Sequence, residues 1–287
     1  MRLEGRRQSS NVDDRRRSSA AGTAGGLGIA GVVIYFVIQL ISGGGVDLSQ
    51  LQEVLGSGAT VRTEHEITQE EEQLAIFSSQ ILAGTEDVWT AYFSANNLGE
   101  YIPPKLVLYT GSTNSGCGRG SASMGPFYCS ADKSVYIDLS FFSSMKSQIG
   151  ADGDFAYAYV IAHEVGHHVQ NLLGILGKAH QQMGSVGKKE ANEISVRLEL
   201  QADFYAGLWA HHDNQRFKSL ENGDIEKALN CAAKIGDDYL QKKSQGYVVS
   251  ESFTHGTAAQ RARWLKKGIQ TGDLSQGNTF NYRYSDL

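Results

Sequence analysis

The rhythm of hydrophobic and polar positions changes along the chain, and each change predicts an element. From Ser18 to Val46 no residue is charged, and Leu27 to Ile41 is apolar almost without interruption. A bilayer core takes roughly 20 apolar residues in helical form, so residues 20–45 are expected to form a transmembrane helix. A cleaved signal peptide has a shorter apolar region that ends at small residues, and Ser42-Gly43-Gly44-Gly45 keeps that alternative open. A buried soluble helix fits less well, because eight glycines fall between Ala21 and Gly45 and glycine destabilises helices in water. Residues 46–63 read as a polar linker containing Gly56-Ser57-Gly58, and residues 64–287 as one continuous domain without internal repeats.

Within that domain the spacing first turns helical. Leu74, Phe77 and Ile81, then Val88 and Tyr92, predict two helices between Glu70 and Asn97, separated near Gly84. Pro103-Pro104 ends the region. Leu106–Tyr109, Phe127-Tyr128 and Val135–Asp138 predict short strands, with a glycine- and serine-rich loop from Gly111 to Gly125. After Pro126 there is no proline for 161 residues, and the pattern stays helical. Helices are expected from Asp154 to about Leu173, from about Lys189 to Ala210, from Asp224 to about Lys242, and from near Thr257 to Gly268. The fold class that follows is α+β and mainly helical, with a small sheet supplied by the first half.

Charge adds an orientation to this outline. Six arginines against three acids give residues 1–17 a balance of +3, so a chain total of −5 leaves −8 on the other 270 residues. That acidic remainder gives no reason to expect nucleic-acid binding. By the positive-inside rule, the arginines hold residues 1–19 in the cytoplasm as a basic tail, with everything after Val46 across the membrane. On an oxidising outer face Cys117 and Cys129 can close a small loop with Cys231 left over; three free thiols are the alternative.

The chemistry concentrates in Ala162-His163-Glu164-Val165-Gly166-His167-His168. Residues four apart share one helix face, so the imidazoles of His163 and His167 converge where a zinc ion would sit, and Glu164 stands beside it to take a proton from zinc-bound water. His168 points about 100° away and is read as a packing residue. A catalytic zinc needs a third protein ligand and an open position. Glu199 is the choice, with Asp203 one turn on placed to accept the free N–H of a ligand imidazole. The rivals are weaker: Glu193 pairs with Arg197 in a surface pattern, and His211-His212 lies about 18 Å further along the helix.

His-Glu-x-x-His followed by Glu199-Leu200-Gln201-Ala202-Asp203 resembles the gluzincins. The arginine-rich start with Ser9-Ser10-Asn11-Val12-Asp13-Asp14, the apolar anchor, Gly125–Cys129, His163–His168, Glu199–Asp203 and Ser252–Gly256 together resemble the bacterial putative neutral zinc metallopeptidase family over nearly the whole chain. The resemblance implies a zincin-like fold, Zn2+ as cofactor, a peptide or protein substrate, and a single-pass protein of the bacterial inner membrane. Cys231 departs from the small residue expected there. Thr254-His255 followed by Arg261 is weakly similar to a pattern in HtpX-like membrane gluzincins, with Gly256 in place of proline.

The reading is therefore a membrane-anchored zinc metallopeptidase of metalloendopeptidase type. His163, His167 and Glu199 hold the metal, Glu164 is the base, and His255 is a candidate oxyanion donor, with Arg261 and Tyr205 as alternatives. His255 as a cap of the last helix is the plainer reading of that residue. A membrane-tethered zinc scaffold without turnover and a zinc hydrolase of a non-peptide bond are the competing functions.

Overall fold

Thr68 and Glu71 exchange reciprocal side-chain-to-backbone hydrogen bonds, a capping box that starts helix α1 (Gln69–Ala95). The computed structural model describes residues 1–17 and 66–287. The expected transmembrane helix over 20–45 and the linker over 46–63 lie outside the described residues; among those described, no helix is long and apolar enough to cross a membrane. Helix α1 is continuous, where the spacing predicts a break at Gly84. That glycine answers a close approach instead: a Cβ there would fall 2.8 Å from the Arg6 guanidinium and 3.2 Å from the Asp213 carboxylate.

Three strands of the sheet form where they are expected, and a fourth comes from the arginine-rich start, which is expected to be a tail. Strands β1 (Val12–Asp14), β2 (Lys105–Tyr109), β5 (Phe127–Cys129) and β6 (Ser134–Asp138) lie in the order β1-β2-β6-β5. The first three strands of that order are mutually parallel, and β5 runs antiparallel to β6. Leu106, Leu108, Val135 and Ile137 face the main core, while Val107, Tyr109 and Tyr136 face a smaller cluster with Cys129. The expected loop 111–125 contains a hairpin, β3 (Ser112–Ser115) with β4 (Gly118–Ser121). A disulfide joins Cys117 to Cys129, and Cys231 is a buried free thiol.

The second half is helical: α2 (Ser140–Ser144) followed by a π-turn at Met145–Ile149, α3 (Asp154–Leu172), α4 (Ile175–Met183), α5 (Lys188–Phe217), α6 (Asp224–Lys234), α7 (Asp237–Gln245) and α8 (Ala258–Thr271). Three departures from expectation have physical causes. Aspartate is a favoured N-cap and is expected to cap this helix, but Asp154 is the first residue of α3 and Gly153 holds the cap position with no side-chain bond. The helix expected over 224–242 is broken at Ile235-Gly236, because the backbone of Gly236 runs against that of Ala258 with no room for a Cβ. Thr257 and Gln260 form the capping box of α8, so His255 does not cap that helix.

Residues 1–17, expected to be a separate tail, are part of the folded body. Asn11 and Arg15 hydrogen-bond through their backbones to Leu106 and Leu108 on either side of β1. Arg6 makes a two-toothed ion pair with fully buried Asp213 and stacks 3.7 Å over the ring of Phe217. Arg16 is only 2% exposed, held by Asp14, Glu72 and the Glu71 carbonyl. Arg2, Arg6, Arg7 and Arg16 each meet an acid far away in sequence, which a local charge count does not reveal.

Candidate metal centre

Helix α3 is buried along most of its length, and His163, Glu164 and His167 line a cavity of about 580 Å³ that reaches it. The two imidazole rings stand 4.8 Å apart, nearly perpendicular. The far nitrogen of each is fixed. His163 Nδ1 lies 2.8 Å from Asp203 Oδ1, and His167 Nδ1 lies 2.9 Å from Gln170 Oε1. Gln170 is itself held, donating to the Leu198 carbonyl and to Gln201. With both Nδ1–H groups donated, the Nε2 lone pairs are free to point at a common centre.

Glu199 closes that centre from α5. Its carboxylate oxygens lie 3.1 Å from His163 Nε2 and 3.4 Å from His167 Nε2. Zinc–ligand bonds near 2.0–2.1 Å set tetrahedral neighbours about 3.3 Å apart, so the three atoms are spaced as zinc ligands would be. The three residues form a group able to hold a metal ion. The helices approach closely enough because residue 166 is glycine: a Cβ there would meet the Ala202 carbonyl oxygen at 2.9 Å. The x-x of the His-Glu-x-x-His motif thus carries a packing requirement.

Asp203 is completely buried and serves three partners. It accepts from Tyr159 Oη at 2.6 Å, from His163, and from Arg261 through Nε and Nη2, each at 2.9 Å. Burial alone would raise the Asp203 pKa, but the Arg261 and His163 charges outweigh burial and lower it. Arg261 is pushed well above its ordinary range, the charges of Asp203 and Glu199 outweighing burial. Burial likewise opposes charge on His163, yet Asp203 and Glu199 carry its pKa up to about 10. A metal held by these residues would have to displace the protons that the raised histidine pKa values favour.

Glu164 is largely buried, its carboxylate faces the cavity, and no described residue hydrogen-bonds to it. His255 also lines the cavity. Its Nδ1 lies 3.1 Å from Asp237 Oδ1, and no described residue bonds its Nε2. Asp237 escaped the sequence reading. Its other oxygen accepts the backbone N–H groups of Thr254, His255 and Gly256, a convergence with no local signature beyond an aspartate after Gly236. The remaining candidates are placed elsewhere. Tyr205 is buried against Trp89, away from the cavity. Arg261 lines the cavity floor, but its donors go to Asp203, Tyr159 and the Ile235 carbonyl. His168 packs between Tyr101 and Tyr128 and bonds the Ile102 carbonyl. Arg197 bonds the carbonyls of Thr279 and Tyr282, holding the C-terminal segment to α5. His211 and His212 bond carbonyls of Ile269 and Gly272.

Comparison with known proteins agrees with this geometry. Residues 1–280 match the family described as "Putative neutral zinc metallopeptidase". The chain is 51% identical to the protein YpfJ of Escherichia coli K12 over 290 residues, covering 98% of this chain and 99% of that one. It is 44% identical to the protein Mb2605 of Mycobacterium bovis over 191 residues, covering 63% and 64% of the two chains. No solved structure matches. The chain belongs to the putative neutral zinc metallopeptidase family.

Proposed function

We propose that the protein is a zinc-dependent metalloendopeptidase whose catalytic base is Glu164. The observation that carries this reading is a carboxylate with no hydrogen-bond partner among the described residues, beside two imidazoles that converge with Glu199 and opening onto the same cavity. A site built only to hold metal closes with four protein ligands and has no use for such a group.

His163, His167 and Glu199 would hold the zinc, which supplies Lewis acidity toward a carbonyl and toward water. The chain's own residues do the rest. An extended peptide can lie along the outer edge of β5, an end strand of its sheet whose Phe127 and Tyr128 line the cavity; main-chain pairing of this kind reads backbone before side chains. Glu164 accepts a proton from the attacking water and passes it to the leaving amine. His255, oriented through Nδ1 by Asp237, presents Nε2 to the carbonyl oxygen as that oxygen gains charge. Burial opposes protonation of His255, but the Asp237 charge outweighs it and raises the pKa, which favours the donor form. Asp203, clamped by Arg261 and Tyr159, keeps His163 in one orientation.

Incubating the full chain with an unlabelled peptide library, with and without chelator, and reading the products by mass spectrometry tests this. Internal cleavages that vanish with chelator and return with zinc are expected. Release of only terminal residues would remove the endopeptidase assignment, and no cleavage by zinc-loaded protein would leave the scaffold reading in its place.

A further inference from the structure

We infer that the basic arm, residues 1–17, lies on the same side of any membrane as the catalytic body. The arm is a component of that body. Between residues 9 and 15 it adds β1 in parallel to β2, with the Leu106 amide donating to the Asn11 carbonyl at 2.8 Å and the Arg15 amide donating to the Leu108 carbonyl at 2.7 Å.

Its side chains satisfy acids that the body buries. Glu86 is 7% exposed, and its carboxylate accepts from Ser9 at 2.6 Å and Asn11 at 2.7 Å and pairs with Arg7 at 2.9 Å. Asp213 is fully buried, with Arg6 as its cationic partner and Ser219 as its other donor. Without the arm, two buried carboxylates lose most or all of their partners and the edge of β2 is stripped of its neighbour. Desolvated charge of this kind is among the costliest things a fold can carry.

The arm also ends where the body begins. Arg16 reaches the first turn of α1 through the Glu71 carbonyl and Glu72, so the chain leaves the described structure at residue 17 and rejoins it at residue 66 near one corner. One bilayer crossing between those points would place the arm in one compartment and its acids in another. Of the arginines that the positive-inside rule assigns to membrane orientation, Arg2, Arg6, Arg7 and Arg16 pair with acids of the body: Glu221, Asp213, Glu86 with Asp87, and Glu72. Arm and body therefore share a compartment. The conclusion is the same if a second copy exchanges its arm, and it does not depend on catalysis.

The test uses the full chain in cells with single surface cysteines, Ser10→Cys in the arm and Ser94→Cys in the body. Both positions are exposed, and the native cysteines are disulfide-bonded or buried. Detergent-solubilised protein establishes that both react with a membrane-impermeant maleimide. In intact cells the two are expected to behave alike, both labelled or both protected, with any protection lost together on permeabilisation. Labelling of one with protection of the other overturns the inference.

Discussion

His255 is 43% exposed at its side chain, while the Asp237 carboxylate behind it is fully buried. The pair divides labour by burial: the aspartate fixes, the histidine reaches out. His255→Ala is expected to keep zinc and melting temperature and to lower kcat by roughly 10²–10³, the usual cost of losing one donor to a developing oxyanion. KM should change little, since that interaction strengthens in the transition state. Normal kcat in this variant would return His255 to a structural role. Asp237→Ala should differ in kind, lowering melting temperature as well, because three backbone N–H groups lose their acceptor. His163 carries a pH signature. Its folded pKa, about 10 in the metal-free protein, lies above the ordinary 6.5. The stability it contributes is complete below about pH 6.5 and lost as pH rises through about 10. Zinc must displace that proton, so uptake should release protons and tighten with rising pH. Calorimetry in buffers of different ionisation enthalpy reads this directly; zinc binding without proton release would contradict it.

At the scale of elements, the crossing of α3 and α5 sets the metal geometry. Gly166→Ala forces a methyl against the Ala202 carbonyl and should cost about 1–3 kcal/mol, as overpacking does, while lowering zinc occupancy although no ligand has changed. Full occupancy with unchanged stability would mean the crossing is slack. His163, Glu164 and His167 were legible because a helix face is a local property of spacing. Glu199 and Asp203 were legible one step further, once a facing helix was assumed. Asp237 was not legible, because its partners are gathered by a turn between α7 and α8 that spacing does not predict. Gly84 misled for the same reason: read as a helix break, it is the clearance through which Arg6 reaches Asp213. Charge counting makes the arm a tail because it registers arginines and not the acids they meet in space. Arg6→Ala, leaving Asp213 buried beside only Ser219, should cost about 3–5 kcal/mol. A loss within about 0.5 kcal/mol, as for ordinary surface changes, would show the arm to be loosely docked.

For the whole molecule, the buried histidine His168 sets an acid limit. Burial lowers its pKa to about 4, the Ile102 carbonyl opposing only in part. A depressed histidine favours the fold above the unfolded pKa, so stability should fall as pH drops from about 6.5 toward 4. The fall amounts to roughly 3 kcal/mol at one pKa unit per 1.36 kcal/mol. Chemical denaturation at pH 7 and pH 4.5 measures it, and His168→Gln should flatten the slope.

If Glu164 is the base of a zinc peptidase, Glu164→Gln should remove catalysis and leave metal and fold in place. The amide keeps the shape of the side chain and cannot accept a proton. Purified full-length variant should bind about one zinc per chain, as the three ligand atoms dictate, melt with the native protein, and cleave no library peptide. Cleavage at the native rate by a zinc-loaded Glu164→Gln protein would mean that Glu164 is not the base.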